Sequence, residues 1–178
     1  MKRALLILLA ALLAAAACTK QQVQNYYDKQ QSAIDKFVTA AKGVKTIYKG
    51  NAVRVILKEG TTADSLATDG VVSFYYGGYT MNGTSLNANN LFATNYKTLA
   101  ESSRWNLSDE SVFALTTLKL DETPLLEGLR DGLAGVRGGE ECYIIFLGKY
   151  GFGNHASGTI PAKATLVYHI WVDSIQNE

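Results

Sequence analysis

Between Leu125 and Ile175 the hydrophobic period changes and changes back, and this leaves few folds open to the chain. The stretch reads LLEGLRDGLAGVRGGEECYIIFLGKYGFGNHASGTIPAKATLVYHIWVDSI. Leu126, Leu129, Leu133 and Val136 recur at steps of three and four, the spacing of one helix face. Gly128 and Gly132 sit inside that helix, where a missing side chain lets another backbone come close. Glu141 to Leu147 is then a short apolar strand. A Gly/aromatic loop follows, and an Ile-Pro corner opens the longest strand, Ala164 to Ile175. A short helix set between strands in this order can wall a single apolar cleft.

The upstream half supplies more strands. Val53, Val55 and Leu57 alternate with Arg54 and Lys58, which predicts a half-buried strand. Thr61 to Gly70 is a polar loop. Val71 to Thr80 (VVSFYYGGYT) is a second strand, weakened or bulged at Gly77-Gly78, and Asn82-Gly83 is a turn. Ser85 to Asn90 is loop-like. The segment LFATNYKTLAESSRWN predicts a short helix, with Asn95 as its cap and Leu99 on its inner face. Val112 to Leu120 is a further strand. Antiparallel strands with one short crossover helix make an α+β domain. No internal repeat, linker or second domain interrupts it.

The N-terminus reads differently. Lys2 and Arg3 precede LLILLAALLAAAA and then Cys18, the pattern of a secretory leader too short for a comfortable bilayer span. Ala-Ala-Ala-Cys resembles the lipobox of bacterial lipoproteins. That resemblance implies removal of residues 1–17 as a signal peptide and lipidation of Cys18. It also implies anchoring to a membrane, the outer membrane facing the periplasm. Residues 18–45 then form a tether and a helix. Thr19 to Gln22 is the tether, and Val23, Tyr26, Tyr27, Ile34, Phe37, Val38 and Ala41 form an amphipathic stripe. The stripe either docks on its own domain or pairs with a second copy. Residues 46–178 form the main domain. Cys142 is the only other cysteine and reads as a small buried residue. Without Lys2 and Arg3 the chain has 15 basic and 16 acidic residues, and a near-neutral balance argues against nucleic acid as a partner.

From Asn51 to Ile175 the chain resembles the FKBP-type peptidyl-prolyl cis-trans isomerases. The resemblance rests on LLEGLRDGLAGVRGGE, KYGFG, TIPAKATLVYHIWV and the upstream FYYGGYTMNG. It implies an antiparallel half-barrel of five or six strands wrapped around one short helix, with the cleft between helix and sheet. Carried over position by position, it places Tyr76 at the cleft tyrosine and Leu125 and Leu126 at the cleft edge. Leu126 would offer its backbone N–H to the substrate. Leu129 takes the floor position, usually Trp. Phe152 takes the upper-loop aromatic, usually Tyr. Ile160 and Tyr168 take wall positions, the second usually Phe. The family's Phe-Asp pair falls on Phe92-Ala93 or, in another register, on Leu86-Asn87. The carboxylate is missing in both. The activity implied is isomerisation of X-Pro bonds in unfolded or extended proline-containing polypeptides, with no cofactor. A cleft kept only for binding, as in a chaperone, is the alternative.

Other chemistries find little support. His155 and His169 are the only histidines, and they assemble no set of three or four zinc ligands. No Gly-x-Ser-x-Gly elbow is present. Gly151-Phe152-Gly153 lacks the third glycine and the following helix of a dinucleotide site. Tyr26, Tyr27, Tyr75, Tyr76 and Tyr79 fit either a carbohydrate or peptide platform or ordinary core and sheet-face positions.

Overall fold

The computed structural model describes residues 2–84 and 86–177, with side chains from Gln21 onward. The side chains of residues 1–20, Cys18 among them, lie outside the described residues. Helix α1 (Lys2–Ala40) comes first. Strands β1 (Lys45–Lys49), β2 (Ala52–Lys58), β3 (Val71–Thr80) and β4 (Leu91–Thr94) follow. Then come α2 (Lys97–Ser102), β5 (Thr116–Lys119), α3 (Glu127–Leu133), β6 (Glu141–Phe146) and β7 (Leu166–Gln176).

The strands form one seven-stranded sheet in the order β1-β2-β6-β7-β3-β4, with β5 also pairing β3. Every pairing is antiparallel. β4 and β5 share one edge of β3: β5 takes Val71 to Phe74 and β4 takes Gly77 to Tyr79. The sheet therefore has more strands than the five or six expected. The first extra break comes at Gly50, which has φ +55° and turns β1 into β2. The turn is tied to α3, because Asn51 N–H donates to Asp131 Oδ2 at 2.7 Å and Asn51 Nδ2 to Glu127 Oε1 at 2.6 Å.

One sheet face holds α3. A Cβ on Gly128 would lie 2.2 Å from Phe146 Cγ, and one on Gly132 would lie 2.1 Å from Ile144 Cγ2. The helix backbone thus rests directly on β6, and Leu129, Leu133, Ile144, Phe146, Leu166, Tyr168 and Ile170 close into one core. The opposite face is covered by α1. Ile34 is fully buried there among Val53, Val55, Ile145 and Val167, with Tyr27, Phe37, Val38 and Ala41 packed around them. Of the two fates open to the helical stripe, docking on its own domain is the one seen, while Val23 and Tyr26 stay exposed. α1 also runs unbroken through 19–22, read from sequence as a tether. No Gly or Pro interrupts residues 2–40, and the Gln/Lys/Thr composition does not by itself stop a helix.

Covering both faces changes β2. It was expected to be half-buried, yet Ala52 to Ile56 are all buried, Arg54 included. The segment from Leu91 also differs from expectation. Its first four residues pair with β3, and the helix starts only at Lys97. Tyr96, not Asn95, precedes the helix, and Asn95 is committed elsewhere. Residues 110–113 form a short 3₁₀ turn, so β5 starts at Thr116 and not at Val112.

Candidate functional site

The hollow lies where α3, β3, β4, β5 and β7 meet. Phe74 and Tyr76 share a face of β3, since alternate residues of a strand point the same way. Thr116 and Leu118 come from β5, where Thr116 pairs with Phe74 and Leu118 with Val72. Ala93 comes from β4, Tyr168 from β7, Leu129 from α3 and Leu125 from just before α3. These eight residues line a hollow of about 260 Å³. No charged group is among them, so a bound group inside is drawn out of water without meeting a compensating charge.

Of the residues proposed from sequence, Tyr76, Leu125, Leu129 and Tyr168 line this hollow. Phe92, Leu126, Phe152 and Ile160 do not line it, but all four pack into the same apolar cluster. Phe92 meets the Tyr168 ring edge-on at 5.9 Å between centroids. It also fills the space left by Gly78, where a Cβ would sit 2.7 Å from its ring. This packing sets Ala93 at the hollow in the Phe92-Ala93 register, whereas Leu86 and Asn87 lie at a separate depression beside Tyr79 and Leu99. Ile160 is buried at a hairpin closed by reciprocal backbone bonds with Ser157 at 2.9 and 3.0 Å. Leu126 stands at the N-terminus of α3, and its N–H has no acceptor among the described residues.

Sequence reasoning missed Phe74, Thr116 and Leu118. Phe74 carried a usable signal, two residues before Tyr76 on one strand. Thr116 and Leu118 become visible only once β5 is paired with β3.

The hollow is held from below by Asn95, which is 4% exposed. Its Oδ1 accepts from Tyr76 N–H at 2.6 Å. Its Nδ2 donates to the Ala114 carbonyl and to Thr116 Oγ1, each at 3.0 Å, and lies 3.3 Å from the Phe74 carbonyl. One amide thus joins β3 to the start of β5 where the two strands part. Aromatic packing fixes the rest. The Tyr168 ring stacks on Phe146 at 6.0 Å and 11°, and Tyr76 lies 6.1 Å from it. Burial pushes the phenols of Tyr76 and Tyr168 up from the usual tyrosine value, so both are neutral donors at pH 7.

Elsewhere the structure is less promising. Among the described residues, no three of His, Cys, Asp and Glu stand close enough to hold a metal. Cys142 is fully buried, and burial raises its thiol pKa well above normal. A wider groove of about 620 Å³ separates α1 from the Asn82-Gly83 turn and the 159–165 loop, but Gln, Asn and Thr side chains line much of it.

An apolar hollow between a short helix and an antiparallel half-barrel is the architecture of a prolyl-isomerase domain. Residues 62–173 match the family model for FKBP-type peptidyl-prolyl cis-trans isomerases, and the chain belongs to that family. Solved structures agree on the fold. The three FKBP domains of wheat FKBP73 are 18% identical with a TM-score of 0.60, over 76% of this chain and 52% of that one. The N-terminal domain of FKBP42 from Arabidopsis thaliana is 17% identical with a TM-score of 0.55, over 75% and 93%. FkpA from Escherichia coli is 18% identical with a TM-score of 0.56, over 94% and 70%. The chain matches about half the length of the wheat protein. No curated protein sequence matches it.

Proposed function

We propose that the chain isomerises X-Pro bonds of extended or unfolded polypeptides by holding the proline ring in the hollow lined by Tyr76, Leu125, Leu129 and Tyr168. The observation that carries this reading is a charge-free hollow of about 260 Å³, roomy enough for a prolyl ring, inside a domain of this family.

The uncatalysed barrier is roughly 20 kcal/mol, because amide resonance is lost as the C–N bond twists. Resonance is strongest where the charge-separated form is solvated. Phe74, Leu118, Leu125 and Leu129 withdraw the imide from water, and the planar state loses part of its advantage. The Leu126 N–H is free to fix the peptide carbonyl on one side of the twisting bond. Walls that fit the twisted imide better than either planar isomer then lower the barrier by differential binding. This route uses no nucleophile and no proton transfer.

The missing carboxylate at Ala93, Leu129 in place of Trp and Phe152 in place of Tyr favour a modest rate. The proposed setting rests on sequence alone: lipidation at Cys18, anchoring in the outer membrane toward the periplasm, and exported proteins as substrates. We also propose that two copies pair through the helix near the exposed Val23 and Tyr26.

The test is relaxation of a cis-enriched X-Pro tetrapeptide. The chain should accelerate it in proportion to concentration, and Leu125→Asp, which puts a charge on the lining of the hollow, should remove the acceleration. Suppressed aggregation of an unfolded client with no change in peptide relaxation would instead favour the binding-only role.

A further inference from the structure

Tyr168 differs from the Phe146 and Phe92 rings packed against it by one polar atom, its hydroxyl. Its ring belongs to the central strand β7 and pairs across to Ile144 on one side and Gly78 on the other. Phe146, Phe92 and Tyr76 pack against it, and the residue is 8% exposed. A phenol this buried normally finds an acceptor. Tyr168 has none among the described residues. Its hydroxyl is also not one of the sealed side-chain atoms that lack a hydrogen bond among the described residues, which are Arg54 Nε, Asn90 Nδ2 and Glu140 Oε1. The hydroxyl is therefore open to space, and the space that Tyr168 lines is the hollow. Two other hydroxyls border the hollow: Thr116 Oγ1 is held by Asn95 Nδ2, and the phenol of Tyr76 belongs to a residue that is only partly buried.

In a planar imide the nitrogen lone pair is delocalised and accepts hydrogen bonds poorly. At the top of the twist the lone pair is localised on a pyramidal nitrogen, and it accepts well. A donor at that position binds the transition state and not the ground state. Resting on the isomerase reading above, we propose that the Tyr168 hydroxyl is a catalytic donor that hydrogen-bonds the prolyl nitrogen as the bond twists. No covalent bond changes hands, and the proton stays on the phenol. The group stands at a position where the family resemblance implies phenylalanine, in a hollow that lacks the family's carboxylate.

Tyr168→Phe in the full chain tests this, because it keeps the ring and deletes the donor. The expected result is kcat about tenfold lower, KM within about twofold, and a melting temperature that does not fall. Unchanged or higher kcat, a loss carried by KM alone, or a lowered melting temperature would each overturn it, the last by revealing a bond made inside the protein. A parental chain with no acceleration removes both this proposal and the reading it rests on. A parental chain whose acceleration survives in Tyr168→Phe removes this one alone.

Discussion

Arg54 Nε lies 3.2 Å from Glu140 Oε1, and the two side chains are only 5% and 2% exposed. The contact is ionic and not a hydrogen bond, since neither atom finds a partner in hydrogen-bonding geometry. The remaining guanidinium nitrogens do bond. Nη1 donates to the carbonyls of Gly132 and Ala134 at 2.9 and 3.1 Å, and Nη2 to that of Gly135 at 2.9 Å. Those carbonyls are the orphan acceptors at the C-terminus of α3. A charge from β2 thus caps the helix that carries Leu129.

Removing one member of this pair strands the other in the core. Arg54→Met should cost about 3 to 5 kcal/mol in urea unfolding, while Arg54→Met with Glu140→Leu should cost less than Arg54→Met alone. A double variant less stable than the single one would contradict the buried-pair account.

Asn95 invites a sharper test. Asn95→Asp keeps the acceptor for Tyr76 N–H but replaces the Nδ2 donor with an oxygen facing the Phe74 and Ala114 carbonyls. The expected loss is about 2 to 4 kcal/mol by chemical denaturation, from unsatisfied buried acceptors and an unpaired buried charge. Peptide isomerisation should fall as well, because Phe74, Tyr76 and Thr116 all border the hollow.

Much of this was legible in advance, and the failures have physical causes. Steps of three and four from Leu126, with Gly128 and Gly132 between, gave α3 and its close approach to β6. The Ile160-Pro161 corner gave the start of the last strand. What escaped were features set by distant partners. Arg54 reads as a solvent-facing residue until α3 ends above it. Leu91 to Thr94 is too short to announce a strand, and its pairing depends on Gly77 and Gly78 leaving room for Leu99 and Phe92. Asn95 has the composition of a helix cap, but three groups from two other strands claim its side chain. In the site, Tyr76 on β3, Leu125 just before α3, Leu129 on α3 and Tyr168 on β7 reach the hollow, while Phe92, Leu126, Phe152 and Ile160 pack into the surrounding cluster.

The close contact of α3 with β6 gives another expectation. Gly132→Ala places a methyl 2.1 Å from Ile144 Cγ2, so the helix or the strand must shift. Overpacking of this kind costs about 1 to 3 kcal/mol. Thermal melts should show the loss even though alanine favours the helix intrinsically.

Stability should also depend on pH through His169. Its Nε2 is 2.8 Å from Glu141 Oε1, and its ring lies 3.7 Å from Trp171 and 4.5 Å from Tyr143 between centroids. Burial lowers its pKa from the usual value, although the Glu141 contact acts in the opposite direction. The unfolded chain then takes up this proton first as pH falls. The contribution is fully present above the unfolded pKa of about 6.5 and is lost as pH drops through the lower folded value. The urea midpoint should decline between pH 7.5 and 5.5, and His169→Gln should make that decline shallower. An equal slope in both chains would remove His169 from the explanation.

The central claim is that the hollow itself does the work, and Ala93→Trp addresses it most directly by filling that space from β4. In a cis-to-trans relaxation assay on an X-Pro peptide, the parental chain should accelerate in proportion to its concentration and Ala93→Trp should not, with circular dichroism and cooperative unfolding retained. Acceleration of equal size in the folded, plugged variant would contradict the account.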